Sequence, residues 1–116
     1  MIREDCMFCR ILDGEIPADI IHESDAAIAF RDINPQAPTH VLIIPRRHIS
    51  TINDLDAGDE EVVGSLFMAA KDIAQQEGLA EDGYRVVMNC GEGAGQSVFH
   101  IHLHLLGGRL LNWPPG

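Results

Sequence analysis

The sequence contains little positive charge, and this excludes one class of partner. Only 8 of its 116 residues are Lys or Arg, whereas 18 are Asp or Glu, so the formal net charge is −10. A chain this acidic has no broad basic surface for a nucleic-acid polymer, and none is expected as a partner. Any phosphate group that it binds must be held locally, by imidazoles and backbone amides.

Long hydrophobic runs and an even set of cysteines are also missing. The apolar run at 41–44 is far too short to cross a bilayer, and no apolar segment follows the charged residues Arg3, Glu4 and Asp5. We therefore expect neither a membrane partner nor a secretory signal. Three cysteines, an odd number, argue against a disulfide framework and indicate a reducing compartment. The predicted location is cytoplasmic.

The remaining composition is that of an ordinary globular protein, with 46% hydrophobic and 22% charged residues. Its length predicts a single domain, 1–116, with one core. Helical spacing of apolar residues predicts a long helix over 56–78 and a short N-terminal helix within 5–12. About five strands are predicted at 19–22, 26–31, 40–44, 84–89 and 99–106. Short turns between strands indicate an α+β fold with a mostly antiparallel sheet.

Three of the six histidines lie within five residues, as His100, His102 and His104. Side chains alternate along a strand, so we expect these imidazoles on one face and the intervening apolar residues in the core. Imidazole titrates near neutral pH and binds metals, so the face is a candidate site. A metalloenzyme using all three on one ion is disfavoured, because such a set spans about 13 Å of strand.

A glycine-rich loop, 91–97, leads into the histidine strand. Its three glycines allow positive φ angles and close approach of the backbone to a ligand. Successive amide N–H groups in such a turn can form a nest for an anion, and Gln96 and Ser97 add polar side chains. Joined to the co-facial histidines, the loop predicts a phosphate site with a nucleophile beside it.

These motifs resemble the signature of the histidine triad (HIT) superfamily. The run at 95–108, which contains His-Ile-His-Leu-His-Leu-Leu, carries the closest likeness. Segments 16–18, 30–40 and 44–50 and the ending Asn-Trp-Pro-Pro-Gly at 112–116 resemble its Hint branch, the nucleoside phosphoramidases. The resemblance covers nearly the whole chain and implies a HIT-like fold.

The resemblance implies hydrolysis of the P–N bond of purine nucleoside 5′-phosphoramidates and related aminoacyl adenylates. By position, His102 attacks phosphorus, and water then releases a nucleoside monophosphate from the nucleotidyl-histidine. His104 and His40 are placed beside the phosphate, and Ser97 beside the leaving amine or a phosphate oxygen. No cofactor is required for this catalysis. Two alternatives stay open: a nucleotide-binding interaction or regulatory protein, and a dinucleoside polyphosphate hydrolase.

The nucleotide-binding residues are also carried over from the resemblance. Asp32 matches the acid that accepts hydrogen bonds from the ribose hydroxyls, and Asn89 matches a residue near the ribose and phosphate. Apolar walls around the base imply a weak purine preference. The remaining predicted nucleotide contacts are Phe8, Ile11, Ile16, Ile33, Gly95, Gln96, Ser97, His102 and His104.

Cys6 and Cys9 form a second candidate site. A Cys-x-x-Cys pair can be half of a zinc site, a redox pair or two buried thiols. Some bacterial HIT proteins hold zinc with two such cysteines and two histidines, and the resemblance implies His48 and His100 here. A closed set of this kind is structural, so the metal would stay out of catalysis. Cys90 is interpreted as a packed thiol.

The resemblance also implies a homodimer that pairs the long helices and joins the two sheets edge to edge. In this branch the C-terminal tail reaches the partner subunit near its active site. Trp113 is the only tryptophan and is the fourth residue from the end of the sequence. We expect it to line the pocket for the leaving amine of the other protomer, because a tryptophan is rarely left in solvent.

Overall fold

The computed structural model describes residues 3–116, and the first two residues of the predicted domain lie outside the described residues. It contains two α-helices and five strands. The helices are α1 (Met7–Leu12) and α2 (Glu60–Gln76). The strands are β1 (Ile20–Glu23), β2 (Ala27–Arg31), β3 (Thr39–Pro45), β4 (Tyr84–Val87) and β5 (Leu103–Gly107).

The strands form a single sheet in the order β1-β2-β3-β5-β4, and every neighbouring pair is antiparallel. This confirms the predicted α+β class, with one long helix and a short N-terminal helix. β3 and β5 lie at the centre of the sheet. Their register sets His104 opposite Leu42 and His40 opposite Leu106, so the two strands bring distant histidines together.

Alternation along β3 divides its side chains between the two faces of the sheet. Val41 and Ile43 belong to the larger core, against α2, whereas Leu42 and Ile44 belong to the smaller core, against α1. Because side chains two apart share a face, His40 lies on the α1 side. On β5, Leu103 and Leu105 belong to the larger core. The sheet therefore separates the larger core, covered by α2, from the face that carries the histidines and α1.

The prediction of the histidine strand is wrong about where the strand begins. β5 starts at Leu103 rather than at residue 99, so His100 and His102 precede the strand. The Ile101 N–H donates to the Ile49 carbonyl at 2.7 Å, and its side chain is buried in the larger core. The chain here bends at residues 98–100 and has no ladder pairing before Leu103, while Ile101 and Leu103 are both buried in the larger core.

The long helix differs from its prediction at both ends. α2 begins at Glu60, after a 3₁₀ turn at Ala57–Asp59, and ends at Gln76. Leu66 and Ile73 are fully buried, whereas Phe67, the residue after Leu66, is 51% exposed. β4 also ends earlier than predicted, at Val87. Within residues 3–116, no helix has both the length and the apolar content to cross a membrane.

Candidate active site

A cavity of about 440 Å³ opens on the α1 side of the sheet. Its lining includes the apolar side chains of Phe8, Ile11 and Ile16 and the carboxylate of Asp32. This cavity brings together most of the predicted nucleotide residues. Those that line it are Phe8, Ile11, Ile16, Asp32, Ile33, Ser97, His102 and His104.

His102 is buried, and a backbone carbonyl holds its ring. Its Nδ1 lies 2.8 Å from the His100 carbonyl oxygen, which can only accept, so Nδ1 carries the proton and donates. The other nitrogen, Nε2, then has a free lone pair. Burial lowers the pKa of His102, which keeps the ring neutral. The edge of Phe8 packs against this ring at a centroid distance of 5.0 Å and fixes its plane.

His40 and His104 form a chain of hydrogen bonds with a fixed direction. The Gln36 N–H donates to His40 Nδ1 at 3.0 Å, so the single proton of neutral His40 is on Nε2. His40 Nε2 lies 2.9 Å from His104 Nδ1 and donates to it. The proton of neutral His104 is therefore on Nε2. Nε2 is the nitrogen that remains to donate to a ligand.

Burial keeps both members of this chain uncharged. It lowers the pKa of His40, and it lowers the pKa of His104 to about 4, with smaller contributions from the neighbouring His102 and His40. Neutral donors can contact an anion without first losing the hydration of a full charge. Asp32 adjoins the chain, because its Oδ2 lies 3.4 Å from His40 Nε2 and its Oδ1 accepts from the Asn34 N–H at 2.9 Å.

Three predicted nucleotide residues are not among those that line the cavity: Asn89, Gly95 and Gln96. The Gln96 side chain is buried and is used inside the loop. It accepts from the Gly91 N–H at 2.8 Å and donates to the Ser50 and Val98 carbonyls at 2.8 and 3.1 Å. Gln96 therefore stabilises the glycine-rich loop through these three hydrogen bonds. Gly95 has a φ of 93°, a conformation that glycine adopts without strain.

Sequence reasoning missed other groups in the site. Phe30 and Leu42 also line the cavity. Strand alternation could have found Leu42, because it follows His40 by two residues on the same face. The sequence could not indicate that the Gln36 N–H and the His100 carbonyl would orient the histidines, because every residue type other than proline offers the same backbone groups.

Cys6, Cys9, His48 and His100 form a separate cluster whose ligand atoms all lie within 4.8 Å of one another. The Cys6 sulfur is 3.4 Å from His100 Nδ1, and the Cys9 sulfur is 3.3 Å from His48 Nδ1 and 3.6 Å from His100 Nδ1. A tetrahedral zinc ion places sulfur and nitrogen ligands about 3.6 Å apart. The cluster thus has both the donor set and the spacing for zinc.

Hydrogen bonds behind this cluster aim its ring nitrogens inward. His100 Nε2 lies 2.9 Å from the Pro45 carbonyl and must donate to it, which leaves Nδ1 as a lone pair beside the sulfurs. His48 Nε2 is 3.2 Å from the Ser50 hydroxyl. Outer partners of this kind are typical of metal-bound histidines.

The potential ligand atoms of Asp32, His40 and His104 also lie within 4.8 Å of one another, close enough to bind a single metal ion. The direction of hydrogen bonding disfavours a metal there. His40 accepts at Nδ1, so ligation through Nε2 would leave its ring with no proton at all. The structure also places His100 in the cysteine cluster and His104 in this one, so the facial set of three histidines is not formed.

An antiparallel sheet with clustered histidines at its centre, beside a cavity lined by apolar side chains and by Asp32, defines the class of histidine triad domains. The chain belongs to the HIT domain family, whose model matches residues 13–111. Solved structures and curated sequences agree with this assignment.

A purine nucleoside phosphoramidase of Escherichia coli (strain K12) is 54% identical over 108 residues, which cover 93% of this chain and 91% of that protein. A HIT family hydrolase from Legionella pneumophila Philadelphia 1 has a TM-score of 0.95 and 57% identity, covering 97% of this chain and 100% of that one. A Zn-bound histidine triad family protein from Mycobacterium smegmatis has a TM-score of 0.80 and 35% identity, covering 90% of this chain and 76% of that one.

Proposed function

We propose that this protein hydrolyses the P–N bond of purine nucleoside 5′-phosphoramidates and related aminoacyl adenylates, and releases the nucleoside monophosphate. One observation carries the proposal: neutral His102, with Nδ1 held by a carbonyl, leaves Nε2 free at a cavity that is also lined by apolar side chains. The purine nucleoside phosphoramidase of E. coli, at 54% identity, supports the same substrate class.

In the proposed first step, His102 Nε2 attacks phosphorus and the P–N bond breaks. The ring gains positive charge as the new N–P bond forms, which strengthens the hydrogen bond from Nδ1–H to the His100 carbonyl. The departing amine takes a proton from solvent, and we assign the Ser97 hydroxyl, on the cavity wall, to relay that proton on its side of the phosphorus. Water then attacks the nucleotidyl-histidine and restores the free ring.

The other cavity residues bind and orient. His104 donates through Nε2 to a non-bridging phosphate oxygen, and His40 holds it in that orientation. The Asp32 carboxylate accepts from the ribose hydroxyls. Phe8, Ile11 and Ile16 enclose the base by apolar contact, which gives a weak preference among bases because few hydrogen bonds read its edge.

The test of this function is steady-state hydrolysis of a fluorogenic adenosine phosphoramidate, with and without a metal chelator. We expect turnover in both conditions. Binding of adenosine monophosphate without turnover would favour the interaction protein. Faster cleavage of a dinucleoside polyphosphate would favour that hydrolase activity, and loss of turnover on chelation in a still-folded protein would indicate metal-dependent chemistry.

We also propose that Cys6, Cys9, His48 and His100 hold a structural zinc ion. The spacing of the four ligand atoms and the outer hydrogen bonds support it. When bound, zinc would tie α1 to the segments that carry His48 and His100. It would supply no chemistry to the reaction, because the attacking ring of His102 is not one of the four ligands.

The proposed assembly is a homodimer, and the tail supports it. Trp113 is 82% exposed in one protomer and Leu110 is 84% exposed, a costly arrangement unless another surface covers them. α2 exposes Phe67 and Met68, and Gly64 on the same helix permits close approach. We propose that α2 pairs with α2 of a second copy and that Trp113 reaches the amine pocket of that copy.

Removing residues 112–116 is expected to leave the fold and the dimer intact but to change selectivity. Hydrolysis of substrates with bulky aromatic amines should fall more than hydrolysis of the simple phosphoramidate, because only the former would contact Trp113. The measurement is the ratio of kcat/KM for a large and a small amine in both proteins, with sedimentation at micromolar concentration. An unchanged ratio, or a 12.7 kDa species alone, would contradict this assembly.

A further inference from the structure

We propose that Arg109 is a positioning residue for this site. Its guanidinium donates to the Gln36 carbonyl and holds the loop of residues 32–40 in place, and this loop determines which nitrogen of His104 carries a proton. The catalytic consequence rests on the proposed function, whereas the effect on the histidines does not. Arg109 is exposed, outside the cavity, and beyond the run of three histidines. Its effect would pass through Gln36 and His40.

The contact between Arg109 and Gln36 is a double one. Arg109 Nε and Nη2 donate to the Gln36 carbonyl oxygen at 3.1 and 3.0 Å, and Nη1 donates to the Leu110 carbonyl at 2.9 Å. All three nitrogens of the guanidinium are engaged with backbone oxygens. A planar fork held in this way is more rigid than the single contact that a lysine could make.

The turn before Arg109 is shaped to reach this loop. Gly108 has a φ of 91°, in the region that favours glycine. A Cβ on Gly108 would lie 2.9 Å from the Pro38 Cβ, closer than real contacts allow. The end of β5 is therefore seated directly against the loop, and the Arg109 side chain extends across it to Gln36.

Internal hydrogen bonds give this loop, residues 32–40, a defined shape. The Asp32 N–H donates to the His40 carbonyl at 3.0 Å and closes its base. The Asn34 N–H donates to Asp32 Oδ1, and the Gln36 side chain donates to the Asn34 carbonyl at 3.0 Å. Gln36 therefore takes part both in the hydrogen bonds inside the loop and in the contact that Arg109 makes from outside it.

Together with Asp32, whose Oδ2 lies 3.4 Å from His40 Nε2, the Gln36 N–H fixes the histidine chain. It donates to His40 Nδ1 at 3.0 Å, and this contact forces the His40 proton onto Nε2 and the His104 proton onto Nε2 in turn. If Gln36 moves away, His40 can carry its proton on Nδ1 instead. Its Nε2 then accepts from His104 Nδ1, and His104 Nε2 becomes a lone pair. That lone pair would face a phosphate oxygen and repel it.

The test compares Arg109→Met with Arg109→Lys, using Arg85→Met as a matched control. Arg85 is a second arginine that donates to a backbone carbonyl, that of Asn112 at 2.8 Å, and among the described residues it has no hydrogen bond to the 32–40 loop. The direct readout is ¹⁵N NMR of the imidazole nitrogens. We expect His40 and His104 to be protonated on Nε2 in the wild type and in Arg85→Met, and to populate both forms in Arg109→Met.

Affinity and turnover give the second readout. Removing one donor to a developing oxyanion costs about 10²-fold or more, so protein with His104 protonated on Nδ1 is nearly inactive and kcat falls with the fraction that keeps the proton on Nε2. If about nine-tenths of Arg109→Met carries the other form, kcat for the simple phosphoramidate should fall about tenfold, and adenosine monophosphate should bind about tenfold more weakly. Adenosine, which has no phosphate, should bind within about twofold of the wild type. Arg109→Lys should lie between, because lysine keeps the charge without the fork.

The outcomes separate the two proposals. An unchanged NMR protonation pattern in Arg109→Met, or equal effects in Arg85→Met, would overturn the positioning role. Equal weakening of adenosine and adenosine monophosphate would overturn it too, because it would indicate a general loss of loop structure. A changed protonation pattern in a protein whose wild type does not turn over phosphoramidates would support the role of Arg109 and reject the proposed function.

Discussion

Replacing His102 with alanine is expected to lower turnover of adenosine phosphoramidates by about 10⁴-fold or more, as occurs when the nucleophile is removed from a catalytic unit. The residual cavity, with Asp32, His104 and the apolar walls, should still bind adenosine monophosphate. The reason is chemical rather than structural. Water at the position of Nε2 would have to attack phosphorus without an imidazole, and no other described side chain of the cavity offers a neutral nitrogen lone pair.

The same reaction offers direct evidence for the intermediate. A wild-type reaction stopped in denaturant without acid should carry a nucleotide on His102, which mass spectrometry would locate. His22→Ala is the control, because His22 lies on β1 and is not among the residues that line the cavity. Near-normal rates in His102→Ala, or a nucleotide on a different residue, would rule out the covalent mechanism.

Replacing Cys9 with serine is expected to remove zinc from the protein and to lower its stability by about 3 kcal/mol, or about 10 °C in Tm. The Cys9 sulfur makes two of the three short sulfur–nitrogen contacts in the cluster. Its backbone N–H also donates to the Cys6 sulfur at 3.4 Å, at the start of α1. Activity per folded molecule should largely persist, because no zinc ligand is the attacking group.

Metal analysis and thermal unfolding test this expectation together. Wild-type protein purified without an affinity tag should contain about one zinc ion per chain. Cys90→Ser is the control, since Cys90 is half-buried and lies outside the cluster. A wild-type protein that is free of metal and equally stable with and without added zinc would reject the site.

The sequence was a good guide to the elements whose pattern is local. The spacing of Leu66, Ala69 and Ile73 predicted α2, and these residues are buried against the sheet. The beginning of β5 could not be predicted in this way, because a strand needs partners. β4 ends at Val87, opposite His104, and the β3 pairing stops at Ile43, opposite Leu103. His100 lies in a bend and His102 directly precedes the strand, so neither takes part in the ladder.

The same distinction between local pattern and tertiary contact applies to the site. The type of each side chain can be read from the sequence, so the histidines, Asp32 and the cysteine pair could be named as candidates. Which nitrogen of each ring carries a proton depends on the Gln36 N–H and on the Pro45 and His100 carbonyls. These contacts are set by tertiary packing, and the sequence does not indicate them.

The partner of the His102 ring is an atom that all twenty amino acids possess. Exchanging residue 100 for any other would remove one proposed zinc ligand but not the oxygen that accepts from His102. No point mutation can therefore remove this acceptor directly, and only a displaced main chain can. In genetic terms, a codon change at position 102 removes the ring itself, whereas a codon change at position 100 leaves the atom that orients the ring. An engineer who recodes position 100 would lose the proposed zinc ligand and the bond to the Pro45 carbonyl, yet keep the oxygen that orients His102, provided that the packing keeps the main chain in place.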